Sequence, residues 1–281
     1  MAETPPLVQE FLDSRASESP RSLSTYRNAL LTYMRLTGGT AIDRKRYDRA
    51  IGEMVRMGRN PNGIATYAVI YRMYAQYCGV DTREWQTPRT HEVPRMVLKG
   101  NEIVRLLEAC RKERRSKDEK EFVVRCLLST GLRISELVNL KWSDVEIAND
   151  VLTVKCGKGS KNRRVRLYTS GKEAFIQWAA HTHPDLTLEE IGLLDERVLR
   201  VHTADAVRFW LRSLGEKCGL SARHLHPHLL RHSSAILDLE NGANLRVVQM
   251  RLGHASLQTT ARYLQLTDDA QKKAPDRTLP P

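Results

Sequence analysis

The sequence lacks several things, and each absence narrows the field. No run of about 18 apolar residues occurs in its 281 residues, so no membrane span is expected. The first residues, Met1-Ala2-Glu3-Thr4-Pro5-Pro6, have neither the basic stretch nor the apolar core of a signal peptide, which predicts a cytoplasmic protein. Cysteine is scarce and scattered. Cys78, Cys110, Cys126, Cys156 and Cys218 are odd in number and form no Cys-x-x-Cys pair, which argues against a disulfide framework or a thiolate zinc site. No cluster of Asp and Glu is suited to magnesium. Internal repeats are missing, and the only biased segment is a polar, proline-ended tail after Thr267.

Positive charge is abundant. The formal net charge is +12, the balance of a chain that attracts polyanions such as nucleic acid or anionic lipid. Lys155, Lys158, Lys161, Arg163, Arg164 and Arg166 fall within twelve residues that contain no acid. From charge alone this run suits either a solvated strand pair or a ribbon laid against phosphates.

Hydrophobic spacing divides the chain. Helices are predicted over Pro5 to Arg15, from a cap at Ser19 or Ser24 to Gly38-Gly39, over Ile42 to Met57, and over Ile64 to Cys78, with a turn at Asn60-Pro61-Asn62-Gly63. Tyr67, Tyr71, Tyr74 and Tyr77 recur at helical spacing and read as core packing rather than as a platform for bases. Gly79 to Pro94 carries two prolines and many polar residues and reads as linker sequence. The domain reading is a helical unit over 1–86, a linker over 87–94 and a larger domain over 95–281. In the larger part, helices are predicted at Gly100–Arg115, Lys117–Ser129, Lys172–His181, Ala204–Cys218, His228–Glu240, Leu245–Leu252 and Leu257–Leu264. Val151–Lys155 and Arg163–Tyr168 read as a β-hairpin. The fold class is therefore mainly α with a small β-sheet (α+β).

Five short strings carry the chemistry. In Thr130-Gly131-Leu132-Arg133-Ile134-Ser135-Glu136-Leu137, Arg133 follows a glycine turn and opens a helix, where dipole and free N–H groups favour an anion. Gly157-Lys158-Gly159-Ser160-Lys161-Asn162-Arg163 forms the hairpin tip and does not satisfy the P-loop pattern. In His228-Leu229-Leu230-Arg231-His232, His228 and Arg231 share a helix face and pair a proton-transfer group with a fixed cation. His228 and His232 also have the spacing of a zinc pair, but Leu229 stands where a zinc protease needs glutamate. Leu252-Gly253-His254 and Thr259-Thr260-Ala261-Arg262-Tyr263 complete the set, with nine residues from His254 to Tyr263.

In this order the strings resemble the tyrosine recombinases, the phage-integrase and Xer group, over roughly Cys126 to Leu266. Asn241 to Gln249, and Leu137 to Val145 with its Trp142-Ser143-Asp144, look like the same family. The resemblance implies six catalytic residues: Arg133, Lys158, His228, Arg231, His254 and the nucleophile Tyr263. It implies a small helical core-binding domain ahead of a larger catalytic domain. It also implies a 3′-phosphotyrosine intermediate on duplex DNA, a homotetramer on two DNA sites in synapsis, and no cofactor. Lys158 stands where relatives carry a general acid, His228 is the candidate base, and His254 donates to the phosphate. Lys161, Arg163 and Arg164 are assigned to DNA binding. Rival readings are a type IB topoisomerase, a DNA-binding regulator without activity, and a zinc-dependent hydrolase. Xer-type dimer resolution and integration of a mobile element both fit.

Overall fold

A computed structural model describes residues 4–88, 96–155, 162–220 and 225–253. The chain divides into two compact units, Met1–Pro94 and Arg95–Pro281.

The first unit is four helices: α1 (Pro6–Asp13), α2 (Pro20–Thr37), α3 (Arg44–Arg56) and α4 (Pro61–Tyr77). Ser19 caps α2 by accepting from the Ser22 amide, and Gly38 ends it at φ 82°. Asn60 and Pro61, read in the sequence as a turn, instead start a helix. The Asn60 side chain accepts from the amides of Asn62 and Gly63, and proline occupies the first helical position. Tyr71 and Tyr74 are buried, as is Tyr33 opposite them, and the Tyr33 and Tyr71 rings meet edge to face at 5.0 Å. Burial pushes the Tyr33 phenol up to about 12. The segment after Gly79 is less of a linker than its prolines suggest. Trp85 is buried with its ring centroid 4.7 Å from that of Tyr47, and the Tyr47 hydroxyl donates to the Gln86 carbonyl at 2.8 Å.

The second unit contains α5 (Gly100–Arg111), α6 (Lys117–Thr130), α7 (Ile134–Leu137), β1 (Val145–Glu146), β2 (Val151–Val154), β3 (Arg163–Arg166), α8 (Thr169–Thr182), α9 (Leu188–Gly192), α10 (Ala204–Lys217), α11 (Pro227–Glu240) and α12 (Leu245–Leu252). Helix α6 lies in the core. Its Phe122, Val123, Val124, Cys126 and Leu127 face the core, and it packs against α5, α8 and α11. Phe122 stacks on Trp178 at 5.4 Å and meets Phe175 edge-on at 5.1 Å. The strands form one antiparallel sheet in the order β1-β2-β3, with Val154 opposite Arg163 and Leu152 opposite Val165. The hairpin is the one read from the sequence. The two-residue β1 and five-residue α9 are additions, too short to leave a periodic signal. The predicted helix at Leu257–Leu264 lies outside the described residues. No described helix is long and apolar enough to cross a membrane.

Candidate active site

The site is built on two helix ends that meet. Helix α6 ends at Gly131, φ 64°, and Arg133 then caps α7. The glycine is needed twice over. Its φ is left-handed, and a Cβ there would sit 2.7 Å from Leu252 Cδ2 at the end of α12. Helix α12 ends at Leu252, with Gly253 at φ 66°.

Glu136, three residues after Arg133, is the group that fixes this arginine. One carboxylate oxygen accepts the Arg133 backbone amide at 2.7 Å, and the other accepts Arg133 Nη1 at 2.9 Å. The same carboxylate takes both terminal nitrogens of Arg163 at 2.8 Å each, a bidentate fork from β3. Burial alone would raise the Glu136 pKa. The Arg163 fork and the Arg133 amide outweigh it and hold the carboxyl at about 2. A carboxyl with a folded pKa below its unfolded value stabilises the fold above the unfolded pKa. That contribution, about 3 kcal/mol from the shift, disappears as pH falls from about 5 towards 2. Glu136→Gln should flatten this part of the stability–pH curve measured by urea unfolding. A curve of unchanged shape would refute the assignment.

Arg231, on α11, is 3 % exposed. Its guanidinium donates to the carbonyls of Gly131 and Leu252, at 2.5 Å each. Those residues lie two positions ahead of Arg133 and His254, so Arg231 ties together the backbones that carry two other candidate residues. Arg133 Nη2 reaches the Gly253 carbonyl at 3.4 Å, and Arg163 Nε donates to the Arg251 carbonyl at 2.9 Å. Three successive carbonyls at the end of α12 thus receive three different arginines, where a helix leaves its carbonyls unpaired and its dipole is negative. Arg251 is buried between Asp238, Ser234 and the Thr130 carbonyl, and locks α12 to α11 and α6.

His228 stands in the first turn of α11. Partial burial lowers its pKa below the ordinary histidine value, and the charges of Arg231, His226, Arg133 and Arg208 lower it further. A neutral imidazole at physiological pH is able to accept a proton. Arg133, His228 and Arg231, nearly a hundred residues apart at the extremes, therefore share one electrostatic neighbourhood.

Beside Arg133 opens a groove of about 520 Å³, bordered by Ser135, Asn139, Lys141, Val154 and Lys155. It lies between α7 and the strand that leads into the hairpin tip. Lys155 bonds the buried Asp144 at 2.5 Å. On β3 the side chains alternate. Arg164 and Arg166 are exposed, whereas Arg163 shares the inward face with buried Val165. Arg163, assigned to DNA binding from the sequence, is 11 % exposed and directs three of its N–H groups to Glu136 and the Arg251 carbonyl. Arg164 remains outward, with a loose 3.7 Å pair to Glu146. Lys158, Lys161, His254 and Tyr263 lie outside the described residues. Among the described residues no group of three or more His, Cys, Asp or Glu is arranged to hold a metal ion. Glu136 and Arg251 are functional neighbours that the sequence reading left without a role. For Glu136 the signal was present, an acid at the third helical position behind its cap.

The family model described as "Phage integrase family" matches residues 96–270. The chain belongs to the phage integrase family. It is a site-specific tyrosine recombinase, and among its relatives is tyrosine recombinase XerA of Thermococcus onnurineus, 28% identical over 96% of this chain and 93% of the relative. XerA of Pyrococcus furiosus is 31% identical over 82% of the recombinase and 78% of its own length. Among solved structures, the Tn1549 transposon integrase in complex with circular intermediate DNA shares the fold at a TM-score of 0.77 and 16% identity, covering 92% of the recombinase and 93% of that chain.

Proposed function

We propose that the recombinase cuts and rejoins duplex DNA by direct exchange of phosphodiesters, with Tyr263 as nucleophile. The observation that carries this reading is the gathering of Arg133, His228 and Arg231 from separate segments onto one site. A phosphodiester repels nucleophiles, and its transition state gathers charge on the non-bridging oxygens. Arg133 and Arg231 supply fork-shaped donors to those oxygens. Arg133 is suited to this because 40 % of its side chain is exposed, while Glu136 fixes the rest. Neutral His228 takes the phenolic proton as Tyr263 attacks, and Lys158 protonates the departing 5′ oxygen. His254 donates a hydrogen bond to the phosphate. The tyrosine ester conserves the energy of the broken bond. The free 5′ hydroxyl of a second strand then attacks that ester, and the phenol leaves with its proton restored. No step consumes a nucleotide or needs a cofactor.

Lys161 and Arg164 contact the DNA backbone, and affinity falls with salt. Two chains on each of two sites form the active tetramer. Similarity to XerA relatives along most of the chain favours Xer-type resolution over integration.

The test is covalent capture. Nicked duplexes of randomised sequence are incubated with the chain, washed in denaturant and sequenced, and the adduct is digested and mapped by mass spectrometry. A 3′-phosphoryl adduct on Tyr263, made without added nucleotide, is the expected result. An adduct elsewhere, or none, refutes the proposal. A captured duplex then serves as a defined substrate.

A further inference from the structure

We infer that Arg163 is a positioning residue for the phosphate clamp, acting without touching phosphate. The inference rests on the reading above, in which Arg133 neutralises the reacting phosphate.

The side chain makes three bonds, and each ends on something the chemistry uses. Two go to Glu136, the carboxylate that also receives the Arg133 amide and Nη1. The third goes to the Arg251 carbonyl, the first of the three carbonyls leading to His254. The stem lies against Gly253, where an added Cβ would approach Arg163 Cδ to 3.0 Å. Arg163 is the first residue of β3, paired with Val154 of β2, and in the sequence Lys158 falls between those two strands. One side chain therefore connects the return strand of the hairpin, the carboxylate behind Arg133 and the end of α12.

A shared carboxylate also sets direction. With Arg163 in place, Glu136 is held by a fork on one side and offers Arg133 one fixed acceptor. Without Arg163 the carboxylate is free to rotate onto Arg133 as a full bidentate partner, which would turn that guanidinium away from a phosphate. Removing Arg163 should therefore misplace Arg133 while leaving its charge in the site.

The test compares the full-length wild type, Arg163→Met, Arg163→Lys and Arg133→Ala on the captured nicked duplex. The scissile position carries either phosphate or an uncharged methylphosphonate. A neutral centre needs no cationic clamp, so a defect in the clamp shrinks on that substrate, whereas a general structural defect does not. For Arg163→Met, single-turnover adduct formation at saturating DNA should fall about 100-fold on phosphate. The Kd and its salt slope should stay unchanged. On methylphosphonate the gap to wild type should close to about three-fold. Arg163→Lys keeps charge but loses the fork, and should lie between the two. An equal loss on both substrates would overturn the inference. So would a salt slope reduced by about one with rescue at high DNA, because that marks a phosphate contact. If Arg163→Met does not melt cooperatively, Arg163→Lys carries the same comparison, with a deficit of about ten-fold on phosphate and its closure on methylphosphonate. Failure of the parent reading looks different: Arg133→Ala would then show the same deficit on both substrates, and the inference for Arg163 would fall with it.

Discussion

Tyr263→Phe will form no covalent adduct with the captured duplex, while binding it within about two-fold of wild type. The substitution removes one oxygen atom and leaves the ring, so phosphate contacts elsewhere, which supply most of the affinity, are untouched. Loss should be complete rather than partial, because covalent capture has no route without a nucleophilic oxygen. The chain has nine tyrosines, but those of the helical core make poor substitutes. Tyr33, Tyr71 and Tyr74 are buried, and burial drives their phenols well above the ordinary value, so they stay protonated. The measurement is a denaturing gel of labelled DNA after overnight incubation. Persistence of the shifted band would show that another residue attacks.

Arg231→Ala will lose both activity and stability, and in this it will differ from Arg133→Ala. Arg231 is buried and satisfies two backbone carbonyls. Truncation leaves both unpaired in the interior and opens a cavity, a loss of about 2–5 kcal/mol. For a domain of this size the thermal midpoint should drop by roughly 5–15 °C. Cleavage should fall by a further factor of about 10²–10³, the usual cost of deleting one charge-stabilising donor. Arg133 is partly exposed, and its carboxylate partner keeps the Arg163 fork after truncation. Arg133→Ala should therefore lose cleavage to a similar extent with a midpoint shift of only a few degrees. Differential scanning calorimetry beside single-turnover cleavage separates the two. Equal midpoints would mean that Arg231 is not the brace between α6 and α12.

The sequence reading succeeds where spacing forces the answer. Helix faces, the glycine stop at Gly38, and the hairpin follow from periods of 3.6 and 2 and from a left-handed glycine. It fails where a local signal competes with tertiary context. Asn60-Pro61-Asn62-Gly63 has turn composition, yet the same residues suit an N-cap and a first helical turn. Trp85 sits in a polar stretch ahead of Pro88, and its burial comes from tertiary packing into the helical core, with the Tyr47 ring beside it. At the site, the nature of the residues was legible but their division of labour was not. Arg163 and Arg164 look alike in a basic run, and strand alternation alone separates them, because Arg163 shares the face of Val165. Arg231 was readable as a cation next to His228. That it also holds two distant carbonyls depends on α6 and α12 ending side by side, which no local pattern encodes.

The arginine-held end of α12 has a consequence for interpreting genetics at this site. Arg163, Arg231 and Arg133 each grip a different carbonyl of residues 251 to 253, and two of them also share the Glu136 carboxylate. Their effects are therefore epistatic. The first substitution loosens the common anchor, and the second finds less left to lose, so the double variant should fall short of the summed single losses. A library screened one position at a time would rank these residues as independently essential, and would miss that they behave as a single unit.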